Sequence, residues 1–114
     1  SLYSRFNVVN FQAMIKHLVL FKLADQAEGK SKSENALIIK KDLEALKDKV
    51  SVIKKIKVYI NDYKAVSSNY DIILDSEFKS IEDVKIYVDH PDHLIVAAYI
   101  AKVRTDRAAI DYEY

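Results

Sequence analysis

The sequence predicts an α+β protein of the ferredoxin-like type, with strand and helix order β-α-β-β-α-β and two helices on one face of a four-stranded antiparallel sheet. Three observations predict it. Residues 14–23, 52–60, 70–78 and 104–113 read as strands. Residues 32–49 and 80–103 carry apolar residues at helical spacing. The strands offer apolar side chains on both faces, whereas two helices cover only one. A bare apolar sheet face is costly in water, so the chain is expected to pair with itself through that face as a two-fold homodimer.

Each element has its own warrant. In 14–23, MIKHLVLFKL, the residues Ile15, His17, Val19, Phe21 and Leu23 share one face, and Leu18 and Leu20 lie on the other between Lys16 and Lys22. Residues 24–30 are polar, contain Gly29 and read as a loop. Ser31 followed by Glu34 suits a capping box. Ala36, Ile39, Leu43, Leu46 and Val50 then form the apolar stripe of a helix over 32–49. In 52–60, Ile56, Val58 and Ile60 face one way, and residues 61–69 are rich in loop formers. In 70–78, YDIILDSEF, Ile72 and Leu74 oppose Ile73. Ser80 caps a second helix with Asp83 at its third position, and Ile81, Val84 and Val88 form the expected buried stripe. Pro91 cannot sit inside a helix without losing a hydrogen bond but suits a first turn. The helix is therefore expected to break near His90 and restart at Pro91.

Composition removes several classes of function. There is no cysteine, which excludes disulfides, thiolate nucleophiles and Cys-based metal centres and fits a reducing cytoplasm. One glycine cannot make a phosphate-cradling loop or dinucleotide fingerprint, so no cofactor is expected. Lys+Arg number 18 against 17 Asp+Glu, which gives no electrostatic reason to expect nucleic acid or an anionic membrane. No apolar run reaches the roughly 20 residues of a bilayer span.

The chain reads as one domain. Met14 is the single methionine and directly precedes the first strand, so the natural domain is expected to begin there and run over 14–114. Residues 1–13 read as an upstream extension. Leu2, Tyr3, Phe6, Val8, Val9 and Phe11 are expected to pack as an added strand or on a neighbouring subunit.

"IKHLVLFKL" at 15–23, "YDIILDSEF" at 70–78, "YVDHPDHL" at 87–94 and "IDYE" at 110–113 together resemble the stress-responsive dimeric α/β-barrel (Dabb) family. The resemblance covers residues 14–114 and implies a ferredoxin-like protomer whose homodimer closes into a barrel. It does not imply one function. One branch of the family, the plant polyketide cyclases, closes polyketide chains by aldol chemistry. The resemblance to that branch matches His93 to the catalytic histidine, Tyr87 to the assisting tyrosine and His17 to the histidine of the first strand.

The motif residues support two kinds of reading. Histidine titrates near neutral pH, so His93 could serve as general base, with Tyr87 positioning substrate or binding a developing enolate. The plainer reading makes His93 a packing and capping residue at a helix junction. His90 and His93, three apart and flanked by Asp89 and Asp92, have the spacing of a weak metal pair, but Pro91 disrupts the turn and no metal is expected. His90 is counted as a ligand-binding candidate, and either it or Asp89 is expected to cap the helix at Pro91. His17 is either a hydrogen-bonded interior residue or one of the sparse polar groups that give an apolar pocket its selectivity. Tyr112 and Tyr114 lie beside Asp111 and Glu113, an acidic setting that suits interface packing rather than nucleic-acid stacking.

Three functions follow as expectations. The first is a homodimer that binds a small apolar or aromatic ligand near His93. The second is a cofactor-independent enzyme with His93 as base and Tyr87 assisting. The third is a structural dimer with a filled barrel and inert histidines.

Overall fold

The first strand, β1 (Ile15–Leu23), alternates buried and half-buried residues along its whole length, as a central strand between two neighbours must. A computed structural model describes residues 13–114, and the packing expected for Leu2 through Phe11 lies outside the described residues. A short hairpin follows, β2 (Gln26–Ala27) and β3 (Lys30–Ser31). Next come α1 (Lys32–Glu44), a 3-10 turn (Ala45–Asp48), β4 (Lys55–Ile60) and β5 (Ile72–Phe78). Two helices, α2 (Ile81–Asp89) and α3 (Pro91–Val103), lead directly into β6 (Arg104–Glu113).

The main sheet has the order β4-β5-β1-β6, and every neighbouring pair is antiparallel. This is the predicted ferredoxin-like arrangement. The register opposes His17 to Ser76 on one side and to Asp111 on the other. Hydrogen bonds between Met14 and Tyr114, at 3.1 and 3.0 Å, continue the β1–β6 ladder to the end of the chain.

The helices cover the face that carries Ile15, His17, Val19, Phe21 and Leu23. The core joins these residues to Leu74 and Phe78 of β5, Ile39 and Leu43 of α1, Val84 and Tyr87 of α2, and Ile100 and Val103 of α3. Each fully buried aliphatic side chain contributes roughly 1.5–3 kcal/mol. The opposite face exposes Tyr59 and Ile110 around the half-buried Leu18, Leu20 and Ile73. No element among the described residues covers it. Lys16 lies on this face and is held by Asp75 at 2.9 Å and Glu77 at 3.0 Å.

Three local readings change. The loop at 24–30 contains the β2–β3 hairpin, because Glu28 (φ 53°) and Gly29 (φ 72°) both adopt the left-handed conformation that a tight two-residue hairpin turn requires. Asn35, fully buried on α1, donates to the Ala27 carbonyl at 3.1 Å and accepts from the Tyr99 hydroxyl at 2.5 Å, which ties this hairpin to α3. The helix expected over 32–49 tightens into a 3-10 turn from Ala45, although Leu46 and Val50 are buried as predicted. The buried residues of α2 are Val84 and Tyr87, whereas Ile81 and Val88 are more than a third exposed. Helical spacing alone did not separate Tyr87 from Val88, because the amphipathic tyrosine reads as a boundary residue until the sheet is laid against it.

The helix signals hold. The Ser31 hydroxyl accepts from the Glu34 N–H at 3.2 Å, and the Glu34 carboxylate accepts from the Ser31 N–H at 3.1 Å. The Ser80 hydroxyl accepts from the Asp83 N–H at 3.1 Å. The chain breaks at His90 (ψ 135°) and restarts at Pro91.

Candidate functional site

A cavity of about 140 Å³ lies between the sheet and the helices. Its sheet wall is His17, Val19 and Phe21 of β1 with Leu74 of β5, and its helical wall includes His93, Ala97 and Ile100 of α3. Arg104 and Arg107 line it from β6. The alternation of β1 puts His17 on this wall, and the break at His90 lets α3 set off in a new direction that brings His93 back over α2. The face carrying His17 is thus the helix-covered one, and the cavity belongs within the protomer.

Four rings meet beside the cavity. Tyr87 and His93 have ring centroids 4.5 Å apart, Tyr87 and Phe78 5.2 Å, and His17 lies 6.1 Å from both Phe78 and Tyr87 in edge-on contacts. The structure therefore brings together three of the four predicted site residues. Of these three, His17 and His93 line the cavity and Tyr87 is fully buried against them, off the wall; the fourth, His90, also lies outside the wall. Its Nδ1 accepts from the Asp92 N–H at 3.1 Å and caps α3, as the sequence allowed. Among the described residues, no group of three or more His, Asp or Glu is placed to hold a metal ion.

The hydrogen bonds fix the tautomer of His93. Its Nδ1 lies 2.8 Å from the Val88 carbonyl. A carbonyl only accepts, so in the neutral ring Nδ1 carries the proton and Nε2 keeps the lone pair. Burial pushes the His93 imidazole below its ordinary value, the Val88 hydrogen bond opposes this, and the charges of His17 and Arg107 add to the lowering. The lowering favours the neutral, proton-accepting ring at neutral pH.

His17, a buried residue of the cavity wall, is bonded through Nδ1 to the Asp111 carboxylate, and its own carbonyl accepts from the Ser76 hydroxyl at 2.8 Å. Asp111 thereby orients His17 as a carboxylate orients the imidazole of a nucleophile–base pair. Sequence reasoning counted Asp111 only within a family motif, and it missed Arg104 and Arg107. The β1–β6 register brings Asp111 to His17, and nothing local announces that register.

Tyr87 is the unusual member. Its side chain is fully buried, and its hydroxyl has no hydrogen-bond partner among the described residues. Burial pushes the phenol upward and Arg107 opposes this, so the hydroxyl stays protonated. An unsatisfied buried hydroxyl costs about 1–3 kcal/mol. Tyr87→Phe is expected to leave the ligand-free protein as stable as before or about 1 kcal/mol more stable. Urea denaturation checks this, and a loss above about 1 kcal/mol would mean the hydroxyl has a structural partner.

Comparison with known proteins places this geometry. A dimeric protein of ferredoxin-like fold from Bacteroides fragilis NCTC 9343 is similar at 39% identity and TM-score 0.74, over 89% of this chain and 96% of that one. A hydroxynitrile lyase from Passiflora edulis shares the fold at TM-score 0.71 but only 16% identity, over 89% of this chain and 93% of that one. A stress-response A/B barrel domain-containing protein of Arabidopsis thaliana is 26% identical over 104 residues, or 88% of this chain. The match takes in 47% of that relative, so the chain spans about half its length. Residues 15–114 match the stress responsive A/B barrel domain, and the chain belongs to that family.

Proposed function

We propose that the protein is a homodimer that binds a small apolar or aromatic molecule in the cavity beside His93. One observation carries the reading: about 140 Å³ of space, walled mostly by apolar side chains, is bordered by a neutral imidazole and an oriented one. Sparse polar groups in apolar walls are how small-molecule sites gain selectivity. The structural-dimer alternative expects a filled interior and is weakened by the same space. The dimer itself draws support from the bare face of Leu18, Leu20, Ile73 and Ile110, where Lys16 is already neutralised within the chain. The Bacteroides relative, described as dimeric, supports it too. The lack of cysteine fits the cytoplasm, and no helix among the described residues is long and apolar enough to cross a membrane.

A second reading is cofactor-independent proton chemistry, with Nε2 of His93 as base and the Tyr87 hydroxyl donating to an enolate oxygen. The Tyr87 hydroxyl favours it, being a buried donor with no partner among the described residues, beside a base. A hydroxynitrile lyase on the same fold shows that the fold can host an enzyme.

The test is a thermal-shift screen of the purified protein against phenols, quinones and short polyketide-like acids, run beside His93→Ala. At a concentration 100 times its Kd, a ligand of the native state adds about 2.7 kcal/mol. Stabilisation by at least one compound, lost in His93→Ala, is expected. An unchanged melting curve across the set would sink the ligand reading in favour of the structural dimer.

A further inference from the structure

The cavity wall has an uneven charge. Its polar members are His17, His93, Arg104 and Arg107; among the described residues no carboxylate lines it, although that of Asp111 is bonded to His17. Both arginines are exposed, and neither guanidinium makes an ion pair among the described residues, although Asp106 is next to Arg107 and two residues from Arg104 in sequence. Asp106, between them, points its carboxylate elsewhere. It accepts from the Tyr70 hydroxyl at 2.6 Å and from the Arg107 backbone N–H at 2.8 Å.

Arg107 stands opposite Phe21 in the β1–β6 register, on the cavity side of the sheet. Its charge is felt at both Tyr87 and His93, so the cationic field enters the ring cluster. The charge of Arg104 also acts on Asp106.

The space is small. About 140 Å³ is close to the roughly 150 Å³ of an apolar cavity that accepts one benzene ring. A planar guanidinium matches a carboxylate by paired N–H donors, and such charge-assisted bonds are the stronger kind.

We propose that the cavity takes a compact, single-ring carboxylic acid, with its carboxylate held by Arg107 and Arg104 and its apolar body against Val19, Phe21 and Leu74. The proposal rests on the ligand-binding reading above and adds the chemical class. A carboxylate placed there offsets the charge of Arg107. His93 is faced by His17 from β1, Tyr87 and Asp89 from α2 and Arg107 from β6, and an added anion favours its protonated form. Binding therefore moves the His93 titration upward.

The experiment is isothermal titration calorimetry of the full chain with benzoate, benzyl alcohol and acetate, repeated with Arg107→Gln and Arg107→Lys. The expected result is that benzoate binds at least tenfold more tightly than either benzyl alcohol or acetate. Arg107→Gln is expected to weaken benzoate at least tenfold while changing benzyl alcohol less than twofold, with Arg107→Lys in between. Benzoate also raises the His93 midpoint followed by proton NMR.

Equal binding of benzoate and benzyl alcohol, indifferent to Arg107→Gln, would overturn the acid assignment and leave the cavity reading intact. Acetate binding as tightly as benzoate would overturn it in favour of a simple anion site. Failure of benzoate and benzyl alcohol alike to bind would overturn both the acid assignment and its use of this cavity, and the screen above decides the broader reading separately.

Discussion

Phe78→Ala is expected to destabilise the protein by about 3–5 kcal/mol. Phe78 is fully buried at the end of β5, opposite Ile15, and supports the rings of His17 and Tyr87. Alanine removes the ring's transfer energy and leaves a hole that the surrounding sheet and helix cannot close, because strand pairing fixes the backbone on one side and α2 on the other. A domain's whole stability is about 5–15 kcal/mol, so this one change threatens the fold. Phe78→Leu, which keeps most of the volume, is expected to cost far less. Urea denaturation measures both. A loss below about 1 kcal/mol for Phe78→Ala would show that the cluster is loosely packed. It would also weaken every argument that treats Tyr87 and His93 as held in place.

The second large effect concerns His93. On the enzyme reading, His93→Gln is expected to lower turnover by about 10²–10⁴-fold, the range for losing a general base. Its stability signature does not depend on which reading holds. Burial holds the folded-state value below the ordinary 6.5, so between the two values the unfolded chain binds more protons than the native one. Stability then rises with pH. The contribution is fully present above about pH 6.5 and is lost as pH falls through the folded value. Denaturation curves collected from about pH 5 to 8 should therefore show an acid-side decline that is shallower in His93→Gln. For turnover, the same lowering means that the basic form is already populated below pH 6.5, and the pH–rate profile reaches its plateau there. A decline identical in both proteins would place His93 in solvent and remove it as a poised base.

Much of this molecule was legible in the chain because the signals were local. The capping box Ser31–Glu34, the Ser80 cap and the stop and restart at His90–Pro91 depend on residues within one turn of each other. The two-faced β1 and the four strands with two helical segments then leave few topologies, and the ferredoxin-like order is the one the sheet adopts. The family motif pointed to His17, Tyr87 and His93, and they do converge.

Other features belonged to the tertiary structure alone. Strand pairing has a period of two, so Asp111 meets His17 only because β6 lies beside β1 in one particular register. The same register sets Arg107 opposite Phe21 on the cavity side, which no periodicity in the sequence could reveal. Tyr87 became a buried donor without a partner among the described residues once α2 had settled its face against Phe78. His90 and His93, neighbours in one short motif, were separated by the turn at ψ 135° into a helix cap and a cavity wall. Short-range chemistry is written residue by residue and can be read that way. The juxtaposition of groups about 90 residues apart, as in His17 and Asp111, is a product of packing and exists only once the sheet has formed.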